Sequence, residues 1–253
     1  MRFIITFLSL SFLAARLPAV ASTDGATPTQ LLEKMDERLR GPSHEMTVTL
    51  DVKTKHWERH YKIRVWMKGL DFALAQVLEP PKVKGEGFLR IKTRLWHYLP
   101  SAERTILIPP SLMLDHFMGS DFSNDDFVKM SYLARDYNSK IVGEEEIDGS
   151  PGYHLELEPR ADAPVTYGKL EVWLRKKDAA PLRWDFYNEK LERIRTLHYS
   201  KFRTFGTREV PAVWRMENHK DKDRETTVTI LDAKYEIDIP DSFFTRQNME
   251  HPL

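Results

Sequence analysis

The chain contains no cysteine. That excludes disulfide frameworks, thiolate nucleophiles and thiolate metal sites, and it excludes lipid attachment to an N-terminal cysteine. Net charge is also missing: 38 Lys and Arg stand against 38 Asp and Glu. Such a balance gives no general attraction to nucleic acid or to an anionic surface, so no nucleic acid is expected as a partner. No G-x-S-x-G nucleophile elbow, phosphate-binding glycine loop or H-E-x-x-H helix occurs. There is no internal repeat and no low-complexity segment. Beyond residue 21 no apolar run approaches the roughly 20 residues that cross a bilayer.

Two weaker candidates for metal chemistry fail on spacing. His56 and His60 are four apart, as on one helix face, but their segment alternates like a strand and offers no third ligand. Asp121, Ser123 and Asp125 could open a calcium loop. Its sixth position is Asp126 instead of glycine, however, and its twelfth is Tyr132 instead of glutamate. The same residues read better as a helix start, with Ser123 as N-cap and Asp126 at N3. No catalytic residue, metal or cofactor is expected.

What the chain does have begins with a secretory signal. Arg2 precedes an apolar stretch over residues 3–13, and Ala19-Val20-Ala21 supplies a small-x-small cleavage pattern. Cleavage after Ala21 would remove Arg2 and Arg16 and no acid, leaving a domain at 22–253 with a net charge of −2. Export without disulfides suits a bacterial periplasm, where a large core replaces covalent staples. Ten of the thirteen Phe, with all nine Tyr and all six Trp, lie beyond residue 21 and supply that core.

A helix is expected from residue 28, with Thr27 as cap, Pro28 in the first turn, an apolar stripe of Leu31, Leu32, Met35 and Leu39, and a stop at Gly41-Pro42. Period-two alternation then dominates, from Val48, Leu50 and Val52 through Tyr61, Ile63, Val65 and Met67 to the run at 226–235. About eleven sequential strands imply a mainly β fold, a large curved antiparallel sheet forming a half-open barrel with short helices over its concave face. The exceptions, 111–118 and 124–135, have helical spacing. The first is apolar and rich in methionine, which suits an adaptable lid or an ordinary core helix.

The stretches Gly87-Phe88-Leu89-Arg90-Ile91, Trp96-His97-Tyr98-Leu99-Pro100-Ser101 and Phe117-Met118-Gly119-Ser120-Asp121-Phe122-Ser123 are distinctive. With the ending Ile239-Pro240-Asp241-Ser242-Phe243-Phe244-Thr245, they resemble the LolA-like outer-membrane lipoprotein-sorting family, over roughly residues 45–245. The resemblance implies an incomplete barrel with an apolar cavity for acyl chains, a soluble monomeric periplasmic shuttle without a cofactor, and an inner-membrane RND-type exporter or outer-membrane acceptor as partner. A lipid-sensing regulatory module is the alternative, and an envelope hydrolase a more distant one. The expected cavity and lid residues are Leu50, Val65, Phe72, Leu74, Trp96, Tyr98, Met113, Phe117 and Met118. Arg90 is expected either to meet a polar head group or to pair with a nearby acid.

Overall fold

The computed structural model describes residues 25–129 and 132–251; the expected signal peptide and its cleavage at Ala21 lie outside the described residues. Helix α1, Pro28–Arg40, starts with a reciprocal cap in which the Thr27 hydroxyl accepts from the Gln30 amide and the Gln30 side chain accepts from the Thr27 amide. Its apolar stripe, Leu31, Leu32, Met35 and Leu39, is buried.

Thirteen strands follow: β1 Ser43–Lys53, β2 Glu58–Lys68, β3 Phe72–Glu79, β4 Gly87–Ile91, β5 Arg94–Leu99, β6 Arg104–Leu107, β7 Tyr137–Ile147, β8 Ser150–Pro159, β9 Lys169–Arg175, β10 Pro181–Tyr187, β11 Arg193–Phe205, β12 Arg208–Asn218 and β13 Glu225–Tyr235. All pair antiparallel in one open sheet whose order runs from β6 down to β1, then from β13 down to β7. The chain thus lays down one half as a meander. It crosses through residues 108–136 and returns along the other half until β13 closes on β1.

The two faces are covered differently, and period-two alternation decides which side chain meets which cover. On the inner face, α1 packs against β8–β12 through Leu155, Val172, Trp184 and Leu197. The crossing segment lies against the inner side of the first half, where Met46, Val48, Leu50, Ile63, Val77 and Phe88 cluster with Phe117 and Val128. On the outer face of that half a third cluster joins Trp66, Leu74 and Leu89 to Ile239, Phe244 and Met249 of the C-terminal segment. Helix α4, Arg246–Glu250, is held there by Gln76, whose side-chain amide donates to the carbonyls of Asn248 and His251, each at 2.8 Å.

Gly87 makes this docking possible. A Cβ there would sit 2.5 Å from Met249 Cγ and 2.6 Å from the Met249 carbonyl oxygen. Gly87→Ala should therefore lift α4 off the sheet at a cost of about 1–3 kcal/mol. Chemical denaturation would show the lower midpoint, and proteolysis near residue 245 should quicken. An unchanged midpoint would mean that the C-terminal segment contributes little to the fold.

The crossing segment departs from the expected helices. Residues 111–118 form two short 3-10 turns, Pro110–Leu112 and Phe117–Gly119, because Pro109-Pro110 and a left-handed Met118 (φ 53°) stop an α-helix from propagating. Helix α2, Asn124–Lys129, and helix α3, Leu133–Asp136, are single short turns. The Ser123 cap is present as read: the Asp126 amide donates to Ser123 Oγ at 3.0 Å, and the Ser123 amide donates to Asp126 Oδ2 at 2.8 Å.

Candidate functional site

Between the crossing segment, the end of α1 and the inner face of the sheet lies a cavity of about 180 Å³. Met46, Val48 and Leu50 of β1 form one wall with Ile63, Val65 and Met67 of β2. Trp184, Tyr199, Trp214 and Val228 come from β10 to β13, and Phe117, Phe122 and Phe127 close it from the crossing segment. Val65 and Trp184 stand on strands five places apart in the sheet order. On a flat sheet that separation is roughly 24 Å, yet both residues line the same cavity.

Polar groups in the wall are few: Arg40, His44 and Asp126 besides the indole and phenol groups. Asp126 is committed to its surroundings, accepting from Tyr167 Oη at 2.5 Å and pairing with Arg195 at 3.0 Å. His44 is 1% exposed, and its Nδ1 donates to the Arg40 carbonyl at 2.8 Å. Burial, reinforced by the charges of Arg40, Arg208 and Arg90, pushes its pKa down to about 4 against the raising effect of that hydrogen bond. The imidazole is therefore neutral at pH 7. Burial and neighbouring Arg90 lower Arg40 to about 10, which leaves it charged.

The crossing segment is pinned by polar contacts to the opposite side of the cavity. Asp121, 1% exposed, pairs with Arg224 Nε at 2.7 Å and accepts from Thr226 Oγ1 at 2.7 Å and Asn218 Nδ2 at 3.0 Å. Arg224 also donates to the carbonyls of Gly119 and Ser120, and Arg195 to that of Asp121. At the other end Arg90, fully buried on β4, donates to the carbonyl of Val128 at 2.8 Å and more distantly to that of Phe127. A cation at a helix C-terminus satisfies carbonyls left open by the helix.

The residues expected from sequence separate into three groups. Leu50, Val65 and Phe117 line the cavity. Met113 packs against the same inner cluster. Met118, reversed by its left-handed backbone, faces a neighbouring depression of about 370 Å³ beside Phe88 and His97. Phe72, Leu74, Trp96 and Tyr98 are a correction: they belong to the outer-face cluster under the C-terminal segment, one residue out of phase with the inner face. Arg90 stands outside the cavity lining and donates to the backbone of α2. Sequence reasoning passes over Arg40 and His44, which sit where α1 turns into β1.

Three solved structures share this architecture. A LolA superfamily protein from Nitrosomonas europaea is 26% identical and superposes with a TM-score of 0.74 over 88% of this chain and 99% of its own. A DUF1329 family protein from Desulfovibrio piger is 21% identical, with a TM-score of 0.81 over 88% and 100%. A Vibrio parahaemolyticus domain described as an outer membrane lipoprotein-sorting protein is 23% identical, with a TM-score of 0.76 over 87% and 98%. No curated protein matches the chain. The open sheet carrying α1 and the crossing segment is thus the LolA-superfamily, outer-membrane lipoprotein-sorting-like fold. Within it, the chain belongs to the family whose model, described as an uncharacterized protein, matches residues 69–251.

Proposed function

We propose that the protein is a soluble periplasmic carrier that takes acyl chains of lipoproteins or lipids into the cavity beneath the crossing segment. The observation that carries this reading is the cavity itself, apolar on nearly every side and closed by a segment held by polar contacts as well as apolar packing. The LolA-superfamily fold supports it. Such a carrier works by binding alone, with no catalytic step. It would exchange cargo with an inner-membrane RND-type exporter or an outer-membrane acceptor.

The dimensions describe a closed state. At about 180 Å³ the cavity is close to the ~150 Å³ that accommodates a benzene ring and below the ~300 Å³ at which drug-sized ligand pockets begin. An acyl chain therefore has to displace the crossing segment, which acts as a lid. Burying a sixteen-carbon chain contributes roughly 12 kcal/mol at about 0.8 kcal/mol per methylene, and it acts against the net ~1 kcal/mol of each hydrogen bond that opens and the apolar packing of Phe117 and Val128. Release needs only that a partner stabilise the open lid.

Native mass spectrometry after gentle purification tests the proposal, with co-purifying acylated species expected. A protein that is consistently empty and instead binds the periplasmic segment of a membrane protein would be a sensor, and carriage would be wrong. Phe117→Asp gives a site-level test. Phe117 stacks on Phe127 with centroids 5.0 Å apart and packs on Phe88, so a carboxylate there should cut lipid affinity tenfold or more, while far-UV circular dichroism still reports the sheet. Unchanged affinity would show that Phe117 does not face the cargo.

A further inference from the structure

Among the described residues the cavity has one fixed cation in its wall, and that cation stands at a boundary. Arg40 ends α1 and reaches the cavity beside Leu39, His44 and Met67. Its counter-ion is Asp36, one helical turn earlier. Asp36 belongs to a different space, an open depression of about 430 Å³ bordered by α1, Gly41-Pro42, Gly69-Leu70 and α3. The pair is thus a polar partition between an apolar interior and solvent, with side chains 14% and 23% exposed.

Three guanidiniums, Arg40, Arg90 and Arg208, act on His44, which is itself neutral, and Arg208 is already paired with Glu37 and Glu236. The carboxylate in the cavity wall, Asp126, is already occupied by Arg195 and Tyr167. Asp36 is therefore the exchangeable anion. Leaving the largely buried Arg40 without a counter-ion would be strongly destabilising, so Asp36 leaves only when another anion takes its place, turning into the open depression where it regains water. A guanidinium cannot shed its proton to relieve the site, and it holds carboxylate or phosphate oxygens through two parallel donors. The apolar surroundings strengthen any such bond.

We propose that the Arg40 end of the cavity is a head-group site, where an anionic carboxylate or phosphate on a single acyl chain replaces Asp36 while the tail fills the apolar interior. This rests on the carrier reading and narrows its cargo from acyl chains in general to anionic single-chain amphiphiles.

Trp184 and Trp214 line the cavity, so tryptophan fluorescence of the delipidated full-length protein can follow titration with palmitate, hexadecyl phosphate and hexadecanol, each below its aggregation threshold. At least one anion is expected to bind tenfold to a hundredfold more tightly than the alcohol, the span of a charged hydrogen bond, and the tighter of the two identifies the head. Arg40→Gln should abolish the preference, Arg40→Lys should keep part of it, and Asp36→Asn should raise anion affinity several-fold by removing the competitor. If Arg40→Gln does not fold, Asp36→Asn carries the test. Equal binding of all three ligands, or a preference insensitive to both positions, overturns the head-group site and leaves the carrier intact. Binding of none of the three removes both.

Discussion

Asp121→Ala should release the crossing segment while the sheet stays folded. The Asp121 carboxylate is where β12, β13 and the loop between them grip that segment, through Asn218, Thr226 and Arg224, at distances of 2.7–3.0 Å. Removing one partner of a buried ion pair costs about 3–5 kcal/mol, because the remaining charge keeps its desolvation penalty. The β12–β13 ladder from Val213–Thr229 to Glu217–Glu225 does not depend on the carboxylate. The loss therefore falls on docking of the segment. Hydrogen exchange should accelerate at the Phe117 amide, bonded to the Phe122 carbonyl, and at the Asn124 amide, bonded to that of Asp115. Amides of β9 and β10 should stay protected. Asp121→Asn, which keeps an acceptor for Thr226, should lie between. Under the carrier proposal the alanine variant also exchanges lipid faster. Unaltered exchange at Phe117 and Asn124 would mean that Arg90 and Arg195 suffice to hold the segment.

Much of this arrangement is legible in the sequence, because the elements that form it follow local rules. Leu31, Leu32, Met35 and Leu39 mark the buried stripe of α1, and Ser123 with Asp126 marks the start of α2. Alternation also places Leu50 and Val65 on one face. It cannot say which face meets which cover, and for that reason Phe72, Leu74, Trp96 and Tyr98 lie on the opposite face from the one expected. A signal is nevertheless present. The run Phe72-Ala73-Leu74-Ala75-Gln76-Val77-Leu78 is apolar at every position but Gln76, and a near-continuous apolar run indicates a strand covered on both sides. That pattern requires a second cover, which the C-terminal segment supplies.

The polar part of the site is less accessible. Arg40 in the last turn of α1 reads as an ordinary complement to the helix dipole, and His44 as one polar position at the start of a strand. Their burial follows from how the α1–β1 joint seats against β2 and β13, with His44 paired to Met67 on one side and Tyr235 on the other. That is tertiary information with no local trace. Residues 111–118 mislead for the opposite reason: their spacing is helical, and Pro109-Pro110 with a left-handed Met118 overrides it.

His44 should make the protein lose stability as the pH falls from 6.5 to 4. In the folded state its pKa is about 4, set first by burial; in the unfolded chain it is near 6.5. Between these values the unfolded state binds the extra proton, so stability rises with pH across the window and is fully present above 6.5. The difference corresponds to about 3 kcal/mol, most of it gone by pH 4.5. His154 and His198 are also held below their ordinary values by burial and act in the same direction. The measurement therefore has to be a comparison. His44→Asn keeps an N–H for the Arg40 carbonyl and cannot titrate, so its urea midpoints should fall less steeply between pH 6.5 and 4.5 than those of the parent. Parallel slopes in the two proteins would show that His44 takes up its proton without unfolding, and that the α1–β1 joint admits water to the ring.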